Sequence, residues 1–179
     1  MNLELSITEQ CNLRCDYCYY RDSHAARKAV MSDEVMEKAI SLALRKAAEL
    51  NHNFLNITFF GGEPLLRMDI IRKTVTFARK LVKSRRNELP KKFKLLFTVN
   101  TNGTLLNDDV IGYLKKEGFS VALSLDGPRN KQDLSRKTVD GRGSFNYIAP
   151  YIPALVDLNA VALMVITPKH VHGFSDAVK

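Results

Sequence analysis

The sequence predicts an α/β fold in which a curved, barrel-like sheet carries its helices on the outside. Segments of strand and helix character alternate along the chain, which is typical of βα repeats. The predicted strands alternate apolar residues with small or polar ones, whereas parallel strands covered by helices on both faces are apolar throughout. A sheet with helices on one face and a roomy, hydrated interior on the other explains this alternation.

The predicted elements follow one another in a regular order. Strands are expected at residues 3–8, 55–60, 94–100, 119–125 and 160–167, and helices at 33–50, 68–83, 108–116 and 145–157, with a last helix beginning near residue 179. Ser32 and Asn107 precede two of these helices and are good N-terminal caps, and Gly118 marks a helix end.

Two of the helices carry apolar stripes that identify the face packed on the sheet. The expected stripes are Val35, Ala39, Ala43 and Ala47 on the first helix, and Ile71, Val75, Ala78 and Val82 on the second.

Length, composition and charge limit the class of protein. The 179 residues suit one domain, and 45% hydrophobic with 26% charged residues is typical of a globular chain with a real core. No apolar run approaches the roughly 20 residues that a membrane span needs, and the N-terminus is too polar for a signal peptide. We therefore expect no membrane partner.

The net charge of +8 is compatible with nucleic acid, an acidic peptide or a phosphorylated ligand. Much of the excess lies in residues 79–94, at the end of one predicted helix and in its outgoing loop. Cations suit the C-terminal end of a helix dipole, and no aromatic residues alternate with them as in an RNA-binding surface. The charge therefore favours a solvated helix end, and nucleic acid is not the expected partner.

All three cysteines of the chain, Cys11, Cys15 and Cys18, lie within eight residues. Three cysteines cannot form a closed disulfide framework, so the spacing indicates metal or cluster ligands in a reducing compartment such as the cytoplasm. The spacing can supply three thiolates to a 4Fe-4S cluster and leave the fourth iron open to a substrate or cofactor. A zinc site completed by His24, or three cysteines packed as small hydrophobic residues, are the alternatives.

A glycine-rich segment with a carboxylate, Gly61-Gly62-Glu63, follows the second predicted strand. Glycines let a ligand approach the backbone closely, and the carboxylate suits a cation such as an ammonium group. An ordinary glycine turn before a helix explains the same residues equally well.

Polar residues also end the first, third and fourth predicted strands, at Thr8, Asn100 and Ser124. Strand alternation points these side chains toward the interior, where they are expected to ring a pocket. The alternative is that they satisfy one another's hydrogen bonds in the core. The Asn-Gly and Asp-Gly pairs that follow are explained by turn formation alone.

Taken together, these segments resemble the radical S-adenosylmethionine (SAM) superfamily. The run CNLRCDYCYY resembles its cluster-binding signature, and GGE at 61–63 its motif for the SAM amino group. D-x-x-R at 133–136 and G-x-G-S-F at 141–145 resemble the peptide-modifying branch, although Gln132 stands where that branch commonly has histidine. The chain is similar to SPASM-type peptide-modifying maturases and to anaerobic sulfatase-maturating enzymes.

The resemblance implies two cofactors, a 4Fe-4S cluster and SAM. It assigns the cluster to Cys11, Cys15 and Cys18. For SAM it implies contacts with the following residues: Gly61, Gly62 and Glu63 at the amino group, Arg136 at the carboxylate, Ser124 near the ribose or carboxylate, Asn100 in the pocket lining and Tyr17 beside the adenine. Without the resemblance, Arg136 is better explained as a surface charge.

The resemblance also implies a partial (β/α)6 TIM-like barrel, of which this chain has five strands. Residues 1–179 are then a radical SAM core cut short at its C-terminus, without an auxiliary-cluster (SPASM or twitch) domain. The implied activity is reductive cleavage of SAM to a 5′-deoxyadenosyl radical that takes a hydrogen atom from a peptide or protein, with electrons from a donor such as flavodoxin or ferredoxin. The alternatives are a radical SAM enzyme that modifies RNA and a non-catalytic Cys3His zinc domain.

Overall fold

Five parallel strands form one sheet in which the spatial order of the strands is their order along the chain. The computed structural model describes residues 1–19 and 29–169, so that His24 and the helix predicted near residue 179 lie outside the described residues. The strands are β1 (Asn2–Thr8), β2 (Phe54–Gly61), β3 (Lys94–Thr101), β4 (Phe119–Ser124) and β5 (Val161–Leu163). Each connection leads from one parallel strand to the strand beside it, and such connections are right-handed as a rule. The connecting helices therefore lie on the same face of the sheet. The predicted unclosed, five-stranded partial barrel is confirmed.

Three helices begin and end close to the predicted positions: α1 (Asp33–Glu49), α2 (Met68–Ser84) and α3 (Asp108–Glu117). The other helices are α4 (Arg129–Ser135), which was not predicted, α5 (Phe145–Ile148) and α6 (Ile152–Asp157), and 3-10 turns lie at Pro64–Arg67, Arg86–Glu88 and Ala149–Tyr151. The side chains of Ser32 and Asn107 accept hydrogen bonds from the first turns of α1 and α3, and Gly118 ends α3 in the left-handed region. These three predicted helix ends are confirmed.

Three predictions about the elements are wrong. The helix expected at 145–157 is broken into α5, a 3-10 turn and α6, because Pro150 and Pro153 cannot donate backbone hydrogen bonds. The strand expected at 160–167 pairs with β4 only over Val161–Leu163. Val35 is 53% exposed, and the buried stripe of α1 runs through Met36, Ile40, Ala43, Leu44 and Ala47.

The core lies between the sheet and the helices. Phe59, Phe97 and Phe119 from three neighbouring strands stack there, with ring centroids 5.4–6.5 Å apart. On the other face of the sheet, Asn56 and Thr98 are only partly buried, and the Thr98 hydroxyl donates to Asn56 Oδ1 over 3.1 Å. The predicted division into an apolar outer face and a polar inner face is confirmed.

Within the described residues, no helix has the length and apolar character that crossing a membrane requires.

Candidate cofactor site

The loops at the carboxyl ends of β1 to β4 surround a cavity of about 420 Å³. Nine of the predicted site residues line it: Cys11, Cys15, Tyr17, Cys18, Gly61, Gly62, Asn100, Ser124 and Arg136. Leu163 and Val165, from β5 and the chain that follows it, add apolar surface. Strand order explains this convergence, because loops that follow neighbouring parallel strands meet at one edge of the sheet.

The three cysteines are free thiols, each partly buried at the cavity wall. Burial raises the pKa of the Cys11 thiol, and it raises the pKa of Cys15 to about 12. Both thiols are therefore protonated at neutral pH, and a metal that binds them must displace their protons.

Cysteine thiolates are the ligands that iron-sulfur clusters take, and each binds a different iron atom. Three free thiols on the wall of one cavity fit such a cluster. Each sulfur binds its own iron atom, so the three sulfurs do not have to converge on the position of a single metal ion. Among residues 1–19 and 29–169, no three His, Cys, Asp or Glu side chains converge on a single metal ion.

The loop that carries the three cysteines (residues 9–19, the cysteine loop) is held to the end of α4 and to the segment that follows it. Arg14 N–H donates to the Lys137 carbonyl over 2.7 Å, and Asp16 N–H donates to the Ser135 carbonyl over 3.2 Å. These backbone hydrogen bonds join the first and last walls of the cavity, although more than 100 residues separate them in the sequence.

Gly61 and Gly62 bring β2 against the start of the cysteine loop. Gly62 N–H donates to the Thr8 carbonyl over 2.8 Å. A Cβ on Gly61 would lie 2.1 Å from the Thr8 oxygen, and one on Gly62 would lie 2.2 Å from the Gln10 oxygen. Gly61 also has φ of +136°, a conformation that disfavours other residues. The two glycines are therefore required by the chain itself, and their backbone lines the cavity.

Glu63 is fully buried and does not line the cavity. Its Oε1 accepts hydrogen bonds from Leu65 N–H (2.9 Å) and the Thr101 hydroxyl (2.7 Å), and its Oε2 accepts one from Asn102 N–H (2.7 Å). Burial raises the pKa of Glu63 to about 7, although these three hydrogen bonds lower it. The carboxylate fixes the loop after β3, and its contact with a cofactor amino group stays a prediction.

Arg136 and Asp126 form a buried ion pair at the opposite wall. Arg136 Nε and Nη2 donate to the two carboxylate oxygens of Asp126 over 2.9 and 3.0 Å. The Tyr17 hydroxyl donates to the same carboxylate over 2.6 Å, and the Arg136 guanidinium lies 5.3 Å from the Tyr17 ring centroid. Burial lowers the pKa of Arg136, but the hydrogen bonds and charge of Asp126 outweigh it, so the pKa lies above its ordinary value.

Gln132, which stands where the resembled branch commonly has histidine, holds the backbone of Asp126 in place. Its Oε1 accepts Asp126 N–H over 2.7 Å, and its Nε2 donates to the Ser144 hydroxyl over 3.1 Å. Asp133 of the D-x-x-R segment accepts Phe145 N–H over 2.8 Å and does not line the cavity. Of that segment, Arg136 alone lines the cavity.

Sequence reasoning gave no individual role to two residues that organise the site, Asp126 and Asn102, although the resemblance implies that their segments, TNG at 101–103 and SLDG at 124–127, line the pocket. Both were explained as parts of turns. The usable signal was their position, because each lies one or two residues beyond a strand whose last inward residue, Ser124 or Asn100, was already expected in the pocket.

Comparison with known proteins decides the family. The Radical SAM superfamily matches this chain over residues 5–169. The chain belongs to this superfamily. Its members are enzymes that use a 4Fe-4S cluster and SAM. The family expected from the sequence is thus confirmed.

The similar curated proteins include anaerobic sulfatase-maturating enzymes. The cysteine-type enzyme of Clostridium perfringens is 32% identical over 142 residues, which is 77% of this chain and 36% of that enzyme. The serine-type enzyme of Bacteroides thetaiotaomicron is 31% identical over 163 residues, which is 86% of this chain and 37% of that enzyme. This radical SAM chain therefore spans less than two fifths of the length of these relatives.

Solved structures give the same result. Native anSMEcpe with bound AdoMet and Kp18Cys peptide superposes with a TM-score of 0.79 at 25% identity, over 99% of this chain and 47% of that one. The same enzyme with bound AdoMet alone gives a TM-score of 0.78 at 25% identity. The radical SAM core thus has the same fold here, and the AdoMet and peptide are ligands of those structures.

Proposed function

We propose that this radical SAM chain binds a 4Fe-4S cluster and SAM in the cavity at the carboxyl end of its sheet and belongs to an enzyme that modifies a peptide or protein. The observation that carries the proposal is that three free thiols, the Gly61-Gly62 backbone and Arg136 all line one cavity. When bound together, the cluster and SAM supply a 5′-deoxyadenosyl radical. The chain's own residues bind, orient and shield these groups.

The thiolates of Cys11, Cys15 and Cys18 hold three irons and leave one without a protein ligand. The Gly61-Gly62 backbone, already at the cavity surface, offers carbonyl oxygens to the ammonium group of SAM. These two contacts place the amino-acid end of SAM between the cysteine loop and the end of β2.

Arg136 binds the SAM carboxylate in this proposal. Asp126 occupies Nε and one hydrogen of Nη2, and Nη1 makes no hydrogen bond to the residues that the structure describes. A guanidinium held by one carboxylate therefore keeps donors for a second one, in a fixed orientation. Tyr17, Asn100 and Ser124 then surround the nucleoside end.

A peptide or protein is the proposed substrate because sulfatase-maturating enzymes recur among the similar proteins and one such structure contains a bound peptide. On the inner face of the sheet, Asn56, Thr58 and Thr98 are partly buried polar residues that hydrogen-bond one another and offer further groups to a peptide backbone. An external donor such as flavodoxin or ferredoxin is the proposed source of electrons.

Anaerobic reconstitution with iron and sulfide tests the proposal. We expect 4Fe-4S absorption and electron paramagnetic resonance (EPR) signals, and dithionite-dependent cleavage of SAM to 5′-deoxyadenosine. Cys15→Ala removes one of three ligands and should abolish cluster assembly. Bound zinc without 4Fe-4S absorption, or a full cluster in the Cys15→Ala variant, would contradict the assignment.

A further inference from the structure

Three side chains form a closed ring of hydrogen bonds between the cysteine loop and the loop after β3. Asn102 Nδ2 donates to Asn12 Oδ1 over 2.9 Å, and Asn12 Nδ2 donates to the Thr104 hydroxyl over 2.8 Å. The Thr104 hydroxyl donates in turn to Asn102 Oδ1 over 2.6 Å. Each member of this asparagine-threonine ring both donates and accepts.

The orientation of the Asn102 amide is fixed by its neighbours. Thr104 N–H, which can only donate, points at Asn102 Oδ1 over 2.9 Å. The opposite side of the amide must therefore be Nδ2, the donor side. Asn102 N–H is bound to Glu63, so both the backbone and the side chain of this residue are held.

The donor side of Asn102 faces the first cysteine. Its Nδ2 lies 3.9 Å from Cys11 Sγ, and Leu13 N–H lies 3.4 Å from the same sulfur. Asn102 is only 7% exposed and lines the cavity, so little water competes with it for the sulfur.

We propose that the asparagine-threonine ring is a positioning device for the cluster, in which Asn102 directs an N–H group at the Cys11 sulfur and sets the cluster's reduction potential. The inference rests on the proposed function, because it requires a cluster on Cys11. Hydrogen bonds to cluster sulfurs are a recognised determinant of reduction potential. A donor stabilises the reduced cluster more than the oxidised one, because the reduced cluster carries one more negative charge. The Asn102 contact therefore raises the potential.

The Thr104 pair of variants tests the ring without altering the group that faces Cys11. Thr104→Ser keeps the hydroxyl and closes the ring, whereas Thr104→Val has nearly the same shape and opens it. After reconstitution of the full chain, an EPR-monitored redox titration should give Thr104→Ser the wild-type potential. Thr104→Val should have a lower potential, because the Asn102 amide loses the hydroxyl that donates to its Oδ1 and is then held less firmly toward the sulfur, by the backbone N–H of residue 104 and by Asn12.

The direct contact is tested by Asn102→Asp, which replaces the donor by an acceptor of the same shape. We expect the equilibrium for one-electron reduction to become at least tenfold less favourable, which is about 59 mV for a one-electron couple. Asn87→Asp is the matched control, because it makes the same change at an exposed residue at the other end of the sheet. It should leave the potential unchanged.

Iron and sulfide content separates the possible failures. If wild-type protein assembles no cluster, the proposed function fails and the ring is not at issue. If Thr104→Val and Asn102→Asp hold full clusters at the wild-type potential, the proposed function stands and the inference is overturned. If Asn102→Asp does not fold, as judged by circular dichroism, Thr104→Val against Thr104→Ser decides alone.

Discussion

The ion pairs at the two ends of the sheet differ in their exposure to solvent. At the carboxyl end, the ion pair between Arg136 and Asp126 has side chains only 8% and 0% exposed, and it lies in the wall of the cavity. At the amino end, Arg79 of α2 pairs with Glu117 of α3 over 2.7 Å, with side chains 53% and 18% exposed. The first pair is shielded from solvent except where Arg136 meets the cavity, and the second is partly open to water and salt.

The net charge of this radical SAM chain says little about its site. The basic residues of 79–94 end α2 and precede β3, so they lie at the amino end. An eight-residue strand puts roughly 25 Å between them and the cavity. Among the described residues that line the cavity, the charged side chain is Arg136, and it is paired with Asp126. The basic residues of 79–94 therefore give no support to RNA as a substrate at this site.

Asp126→Asn should have the largest effect on stability, because it leaves the Arg136 charge buried without a partner. Breaking a buried ion pair in this way costs about 3–5 kcal/mol in the free energy of unfolding. Urea denaturation at pH 7 measures it. The double variant Asp126→Asn/Arg136→Met removes both charges and should recover most of the loss. A cost below about 1 kcal/mol for Asp126→Asn would show that the two ends do not differ as described.

The ion pair between Asp126 and Arg136 could not be predicted from the sequence. Alternation and helical stripes are local, so they located the strands and helices and pointed Asn100 and Ser124 toward the cavity. The other residues expected there, such as Tyr17 and Arg136, came from the motifs and from the family resemblance. The partner of Arg136 is not local information, because a carboxylate in a turn ten residues earlier meets it only after α4 has formed. Helix α4 (Arg129–Ser135) was itself missed, since its sequence RNKQDLS has one large apolar residue.

The directions of buried side chains were equally hard to predict. The contact of Glu63 with a cofactor amino group stays a prediction, but the hydrogen bonds of 2.7 Å that its carboxylate accepts from the Thr101 hydroxyl and Asn102 N–H were not foreseen. Those donors come from the end of β3 and the loop that follows it, and no spacing within the GGE segment indicates them. The length of β5 was overestimated for a similar reason, because a strand ends where its neighbour, β4, stops pairing with it.

Glu63 should make the carboxyl end pH-sensitive. Burial raises its folded pKa to about 7, above the ordinary value of 4.5, so the folded state holds a proton that the unfolded state releases between these values. The contribution of Glu63 to stability is then greatest below about pH 4.5 and is lost as the pH rises through 7. At about 1.36 kcal/mol per unit, the change amounts to about 3 kcal/mol.

Glu63→Gln supplies the control for this effect. Glutamine cannot titrate, so the difference in unfolding free energy between wild type and variant should change between pH 4.5 and 7.5. Denaturation in urea at several pH values measures this difference. A difference that stays constant across the window would mean that Glu63 is ionised throughout, held so by its three hydrogen bonds.

The amino end should be far more tolerant, and Glu117→Gln tests it. The variant keeps the shape of the side chain and removes its pairing with Arg79, an interaction that in partly exposed pairs contributes about 0.2–1 kcal/mol. A negative charge near the C-terminus of α3 is also unfavourable toward the helix dipole, and its removal offsets part of the loss. We expect a change in unfolding free energy below about 1 kcal/mol that shrinks further in 0.5 M salt. A loss as large as that of Asp126→Asn, or one insensitive to salt, would place a buried charge pair at both ends of the sheet.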